Sequence, residues 1–130
     1  GSVGVYAADK PDGEVSAGAL SASGRGLLAK AKVAYGNSSM EIPAVAGFAG
    51  GWTLFHDVLP NAGGAPTSDT IRAAALNVDV PVGDSINGGG VKFAGPGSLD
   101  SGQNTRAAAV VGQWTAVGVM KVVYPPAYSS

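Results

Sequence analysis

"PAVAGFAGGWTLFHDVLPNAG", residues 43–63, is the stretch on which the fold turns. Val45, Phe48, Ala49, Trp52, Phe55 and Leu59 recur there at spacings of three and four, the period of one helix face. Pro43 suits a first helical turn, where its missing N–H costs nothing. Pro60 and Gly63 close the run. The pattern predicts a helix over 43–59 with a broad buried face. Gly47, Gly50 and Gly51 lower its intrinsic propensity by about 1 kcal/mol each against Ala. Three glycines on one helix predict that another backbone packs very close to it.

Upstream of this helix, residues 2–8 alternate small and β-branched side chains and predict a strand. "KPDGE" follows as a turn, and the chain to Leu20 reads as loop. Ser21 can cap a helix running to about Tyr35, with Leu27, Leu28, Ala31, Ala34 and Tyr35 on one face and Gly36 as its C′ residue. Downstream, Thr67 or Ser68 can cap a third, short helix with Asp69 in its first turn and Ile71, Ala74 and Ala75 as its apolar face. "DVPVGDSINGGG" reads as loop, "GVKF" as a short strand ending at Phe93, and "AGPGSLDSGQN" as a long turn. "TRAAAVVGQW" and "VGVMKVVYP" predict two strands joined near Thr115–Val117, and "PPAYSS" a terminal tail. The class is α/β, in the order β-α-α-α-β-β-β, with no internal repeat. One strand, three helices and a late hairpin do not make a self-sufficient α/β sheet, which needs alternating βαβ units with both faces covered. The order therefore predicts an incomplete lobe that leans on something further.

Composition agrees with a thin core. Of 130 residues, 45% are hydrophobic but only 7% aromatic, so little area is buried per residue. Eight Lys and Arg face nine Asp and Glu, and the eight are scattered, so there is no basic stripe for nucleic acid and no acidic tail. The absence of cysteine removes disulfides, thiolate chemistry and cysteine-based zinc sites. No apolar run approaches the roughly 20 residues that span a bilayer, and no signal-peptide pattern opens the chain.

Catalytic motifs are sparse. His56 is the only histidine, and its neighbour Asp57 at i, i+1 on a helix should point about 100° away, so the two are not expected to orient each other. A helix-surface histidine is the favoured reading over a catalytic or metal role. The carboxylates Asp12, Glu14, Asp69, Asp79, Asp84 and Asp100 fall in loops and caps, and nothing selects an acid/base pair. The glycine clusters fit neither G-x-x-x-x-G-K-[ST] nor G-x-G-x-x-G and read as turns. "NSS", Asn37–Ser39, fits the glycosylation triplet, a pattern common by chance. Trp52 lies on the apolar stripe and is expected in the core; Trp114 stays open as core or ligand contact.

The ordered set nonetheless resembles a known family. "GFAGGWTLFHDVLPNAG" is similar to the long helix in the last third of the extracellular ligand-binding receptors, the branched-chain amino-acid type of substrate-binding protein that serves ABC transporters. "TSDTIRAAALN" resembles the short helix that follows it in that family. Phe93, Asp100, Gly102, Gln103 and Asn104 resemble the crossing strand and the turn that come next. "VVGQW" and "MKVVYPP" resemble the closing hairpin, and Lys10-Pro11 the entry loop. "AGPGSL" makes the turn after Phe93 longer than the family's, which puts the pairing register in doubt.

The resemblance covers nearly the whole chain and implies a C-terminal portion of a two-lobed receptor of the type I periplasmic fold. Residues 1–20 would be a linker strand and loop, 21–78 the helical part, and 86–124 the strands and closing hairpin. It implies a non-enzymatic solute-binding protein for an amino-acid-like ligand, without cofactor or metal, working outside the cytoplasm with its signal segment not in this chain. Its partners would be an ABC permease, the rest of the receptor, and a second copy where lobes exchange elements. Ligand contacts would fall at Asp9, Lys10 and Pro43. The alternatives are a ligand-sensing domain of a signalling protein and a free-standing interaction module. On the same resemblance, the polar run Ser98–Arg106 is a turn in which Gln103, Asn104 and Thr105 satisfy backbone groups.

Overall fold

The computed structural model describes residues 3–4, 20–36, 42–107, 109–117 and 119–129. The protein combines helices with a small antiparallel sheet. Strand β1 is Val3–Gly4, followed by helices α1, Ala22–Ala34, and α2, Ile42–Trp52. The long helix then continues as a π-helical segment, Thr53–Val58, and a 3₁₀ turn, Leu59–Asn61. Helix α3 is Ser68–Leu76, and strands β2, Val111–Ala116, and β3, Val119–Tyr124, close the chain with a last 3₁₀ turn, Pro126–Tyr128. The sheet order is β1-β2-β3, antiparallel throughout, with Val3 opposite Gln113 and Gly112 opposite Val122. Residues 5–8 of the predicted first strand lie outside the described residues. The strand expected at 90–93 reduces to two isolated bridges, Val80 to Val91 and Phe93 to Asn104.

The caps form where their side chains allow. Ser21 Oγ accepts from the Gly24 N–H at 3.0 Å, and Gly36, at φ +86°, takes the left-handed position after α1. Thr67 and Thr70 satisfy each other's backbone in a capping box at the start of α3.

Among the described residues, three small clusters stand in place of a single core. Ala31, Val45 and Ile86 join α1, α2 and the loop after α3. Val58, Ala62, Ala74, Val78 and Val91 join the π-helical segment to α3. Val110, Val122 and Tyr128 hold the hairpin and its tail.

Two expectations about the long helix are corrected. Its face is not broadly buried: Val45 and Val58 are enclosed, Phe48, Ala49, Trp52 and Leu59 are half-buried, and Phe55 is 70% exposed. Nor does a backbone pack against its glycines among the described residues, none of which places a heavy atom within 4 Å of where a Cβ would stand on Gly47, Gly50 or Gly51. The close approaches occur elsewhere. A Cβ on Gly24 would sit 2.0 Å from the Gly83 carbonyl oxygen, and one on Gly90 would sit 2.5 Å from the Val80 carbonyl oxygen. Gly24 lets α1 descend onto the 83–84 turn, where the Ser21 N–H donates to Gly83 O at 3.0 Å and its hydroxyl donates to Asp84 Oδ1.

Candidate functional site

The change from α- to π-helix at Thr53 falls beside a group of polar side chains. Wider π turns break the usual side-chain spacing and recur at functional sites. Here the widening brings consecutive residues together: His56 Nδ1 stands 2.7 Å from Asp57 Oδ1. This corrects the expectation that the two would not orient each other, which assumed the regular α-helical angle. An ionised carboxylate only accepts, so Nδ1 carries the proton, and in the neutral ring Nε2 is left as an acceptor. Among the described residues, no hydroxyl is hydrogen-bonded to His56.

Trp52 is not a core residue either. Its ring stacks on Phe48 (centroids 6.0 Å apart, planes 13° apart) and on His56 (4.5 Å, 19°). The i, i+4, i+8 spacing makes these three rings a ladder along the helix. Its end ring, His56, has a side chain that is 60% exposed.

The ladder's edge walls a cleft of about 420 Å³ between α1, the long helix and the 79–85 loop. Ser23, Leu27 and Lys30 line it from α1, Trp52, His56 and Asp57 from the long helix, and Asp79, Asp84 and Ser85 from the loop. A second hollow of about 510 Å³, lined by Asn61, Asn77 and Val78, shares His56, Asp57, Asp79 and Val80 with the first. An apolar cleft of about 440 Å³ opens on the other side of the long helix, between Leu54, Ile71 and Phe93.

Asp79 organises the loop. It accepts from Lys92 Nζ at 2.6 Å and from the Arg106 guanidinium, which also donates to Val80 O at 2.7 Å. These two donors hold the Asp79 carboxyl below its ordinary pKa, Lys92 contributing most. Asn104 completes the clamp. Its Oδ1 accepts from the Lys92 and Arg106 N–H groups, both at 3.0 Å, and its Nδ2 donates to Gly90 O at 2.9 Å. Thr105 Oγ1 donates to Lys92 O at 3.0 Å. The Ser98–Arg106 run is thus a turn whose polar side chains serve backbone groups, with Gln103 joining through its main chain.

Of the ligand contacts implied by the resemblance, Asp9 and Lys10 lie outside the described residues. Pro43 is exposed in the first turn of α2 and lines neither hollow beside His56. The structure instead gathers His56, Asp57, Asp79 and Asp84, which the sequence scatters among a helix and a loop. Among the described residues, no cluster of three His, Cys, Asp or Glu side chains is placed to hold a metal ion, and no helix is long and apolar enough to cross a membrane. No protein-family model, curated protein or solved structure matches the chain.

Proposed function

We propose that this chain is the C-terminal part of a two-lobed solute-binding protein that delivers an amino-acid-like ligand to an ABC permease. The observation that carries the reading is the divided core. A chain of 130 residues is long enough to build one continuous core, yet among the described residues the buried side chains, Leu20 apart, fall into three clusters with few large members. Phe55, Leu54, Val123 and Tyr124 stay exposed beside them. An element set that leaves its apolar faces open is what a portion of a larger receptor presents before its other lobe covers them. In this reading Asp9, Lys10 and Pro43 contribute a minor share of the ligand contacts, the rest comes from the other segments of the receptor, and lobe closure needs no covalent chemistry.

The test is thermal unfolding of the receptor encoded by the full reading frame, with each of the common amino acids present. A bound ligand at 100 times its Kd stabilises by about 2.7 kcal/mol, a readily measured rise in Tm. An upstream α/β lobe and one responsive amino acid are the expected result. A frame without that lobe, or a full receptor that no amino acid stabilises, would overturn the proposal.

A further inference from the structure

We propose that the two hollows flanking the His56–Asp57 pair form one groove that binds a neutral, hydroxyl-rich solute, a sugar or polyol. The groove lies at the far end of the long helix from Pro43, roughly 20 Å away at 1.5 Å per residue. It is therefore separate from Pro43, the one implied amino-acid contact among the described residues, and does not rest on that reading.

Continuity is the first argument. The hollows of about 420 and 510 Å³ share four lining residues, including both members of the pair. Each falls within the usual size range of a small-molecule site.

The second argument is the inventory of hydrogen-bonding groups. The Asp57 side chain is only 19% exposed, and its Oδ1 takes the His56 proton. Among the described residues its Oδ2 accepts nothing, which leaves it able to accept from a ligand hydroxyl. In the neutral ring His56 Nε2 is a second acceptor beside it, without a partner among the described residues. Asn77, across the second hollow, adds a planar amide with both donors and acceptors. Convergent acceptors flanked by an amide suit a ligand with several hydroxyl donors.

Charge decides against an ion. The carboxylates of Asp57, Asp79 and Asp84 line the groove, but Lys92 and Arg106 pair with Asp79 and Lys30 stands in the same lining, so that with His56 neutral three carboxylates are set against three cations. Neither sign is left in excess. The aromatic ladder ends on His56, whose open ring face is the platform on which the C–H face of a pyranose would rest, with its hydroxyls toward Asp57 and Asn77.

The experiment maps amide and indole NMR shifts of the chain titrated with maltose, sorbitol, lysine and methylamine. Maltose is expected to shift Trp52, His56, Asp57 and Asn77 saturably, with a Kd at least tenfold weaker in Asp57→Asn and in His56→Ala. Sorbitol should act at the same residues, and the two amines should not compete. Three results would overturn the proposal. No polyhydroxyl probe saturates by about 10 mM, ten times a millimolar Kd; the shifts lie elsewhere in the wild-type chain; or methylamine or lysine displaces maltose, which would make the groove an ammonium site. Shift mapping on the wild-type chain decides the matter even where a variant fails to fold. Failure here leaves the amino-acid receptor reading standing, because that is read on the full receptor.

Discussion

Gly24 and Gly26 sit two residues apart on α1, and the same substitution at each is expected to move stability in opposite directions. At Gly26 a new Cβ meets no heavy atom within 4 Å. Gly26→Ala then gains only the lower conformational entropy of the unfolded chain and the better helix propensity, about 0.5–1 kcal/mol. At Gly24 the Cβ would lie 2.0 Å from the Gly83 carbonyl oxygen and 3.0 Å from Leu20 Cδ2. The first contact is with backbone, so α1 and the 83–84 turn must separate by more than 1 Å. That carbonyl accepts from the Ser21 N–H at 3.0 Å, and the Ser21 hydroxyl donates to Asp84 Oδ1 on the same turn. Separation weakens two hydrogen bonds of about 1 kcal/mol each and adds an overpacking cost of about 1 kcal/mol or more. Set against the propensity gain, Gly24→Ala should cost about 2 kcal/mol net.

Urea unfolding of both variants beside wild type measures the difference. The expected gap between them is about 3 kcal/mol, with midpoints on either side of wild type and unchanged m-values. If Gly24→Ala were as stable as Gly26→Ala, α1 would not be seated on the 83–84 turn, and the reasoning that places the first wall of the groove would fail with it.

Three further outcomes follow from the same contacts. Asp79 is held below its ordinary pKa, so its contribution to stability is present above the unfolded carboxyl value and is lost as pH falls through the lower folded value; unfolding midpoints below about pH 4 should drop less steeply in Asp79→Asn than in wild type. Asn104→Ala removes the partner of the Lys92 and Arg106 N–H groups and of Gly90 O, and should cost about 2 kcal/mol with faster hydrogen exchange at those two amides; unchanged exchange there would refute the clamp. Val45→Ala, at a fully enclosed site, should destabilise by about 2 kcal/mol, whereas Phe55→Ser should stay within about 0.5 kcal/mol on thermal unfolding of the chain; a comparable loss at Phe55 would show that its face is covered.

The parts of this fold legible in the sequence are those whose cause is local. Ser21, Gly36 and Thr67 mark helix ends because a cap is decided by a few neighbouring backbone groups. The hairpin follows from alternation and its turn. What the sequence hid depends on distant partners. Ile86 sits in a Gly-rich stretch that reads as loop, yet it is fully enclosed because α1 and α2 close over it. Tyr128 belongs to a tail by composition and to the hairpin's cluster by position. Asp79 looked like one loop acid among several, and only the fold brings Lys92 and Arg106 to it. The family resemblance supplied a setting for these elements but no indication of the groove, since its implied contacts lie at Asp9, Lys10 and Pro43.

The three glycines of α2 show why a correct helix can still be misread. A glycine permits a close approach without requiring one, and periodicity places residues on a face without saying whether anything covers it. Gly47, Gly50 and Gly51 leave the helix uncovered at their positions, so their cost in propensity is not returned by contacts among the described residues. The helix is held instead by Val45, with Phe48 and Ala49 beside it, against Ala31 and Ile86, and by Val58 against α3. Between those anchors the backbone changes from α to π, and the change falls where Trp52 and His56 stack and Asp57 turns to meet the imidazole. A weakly propensive helix, uncovered at Gly47, Gly50 and Gly51 among the described residues, can take up the wider turn that a better-covered helix would resist. The glycines and the His56–Asp57 pair therefore belong to one argument: low intrinsic helicity over 47–51 makes room for the irregularity at 53–58 on which the groove's geometry depends.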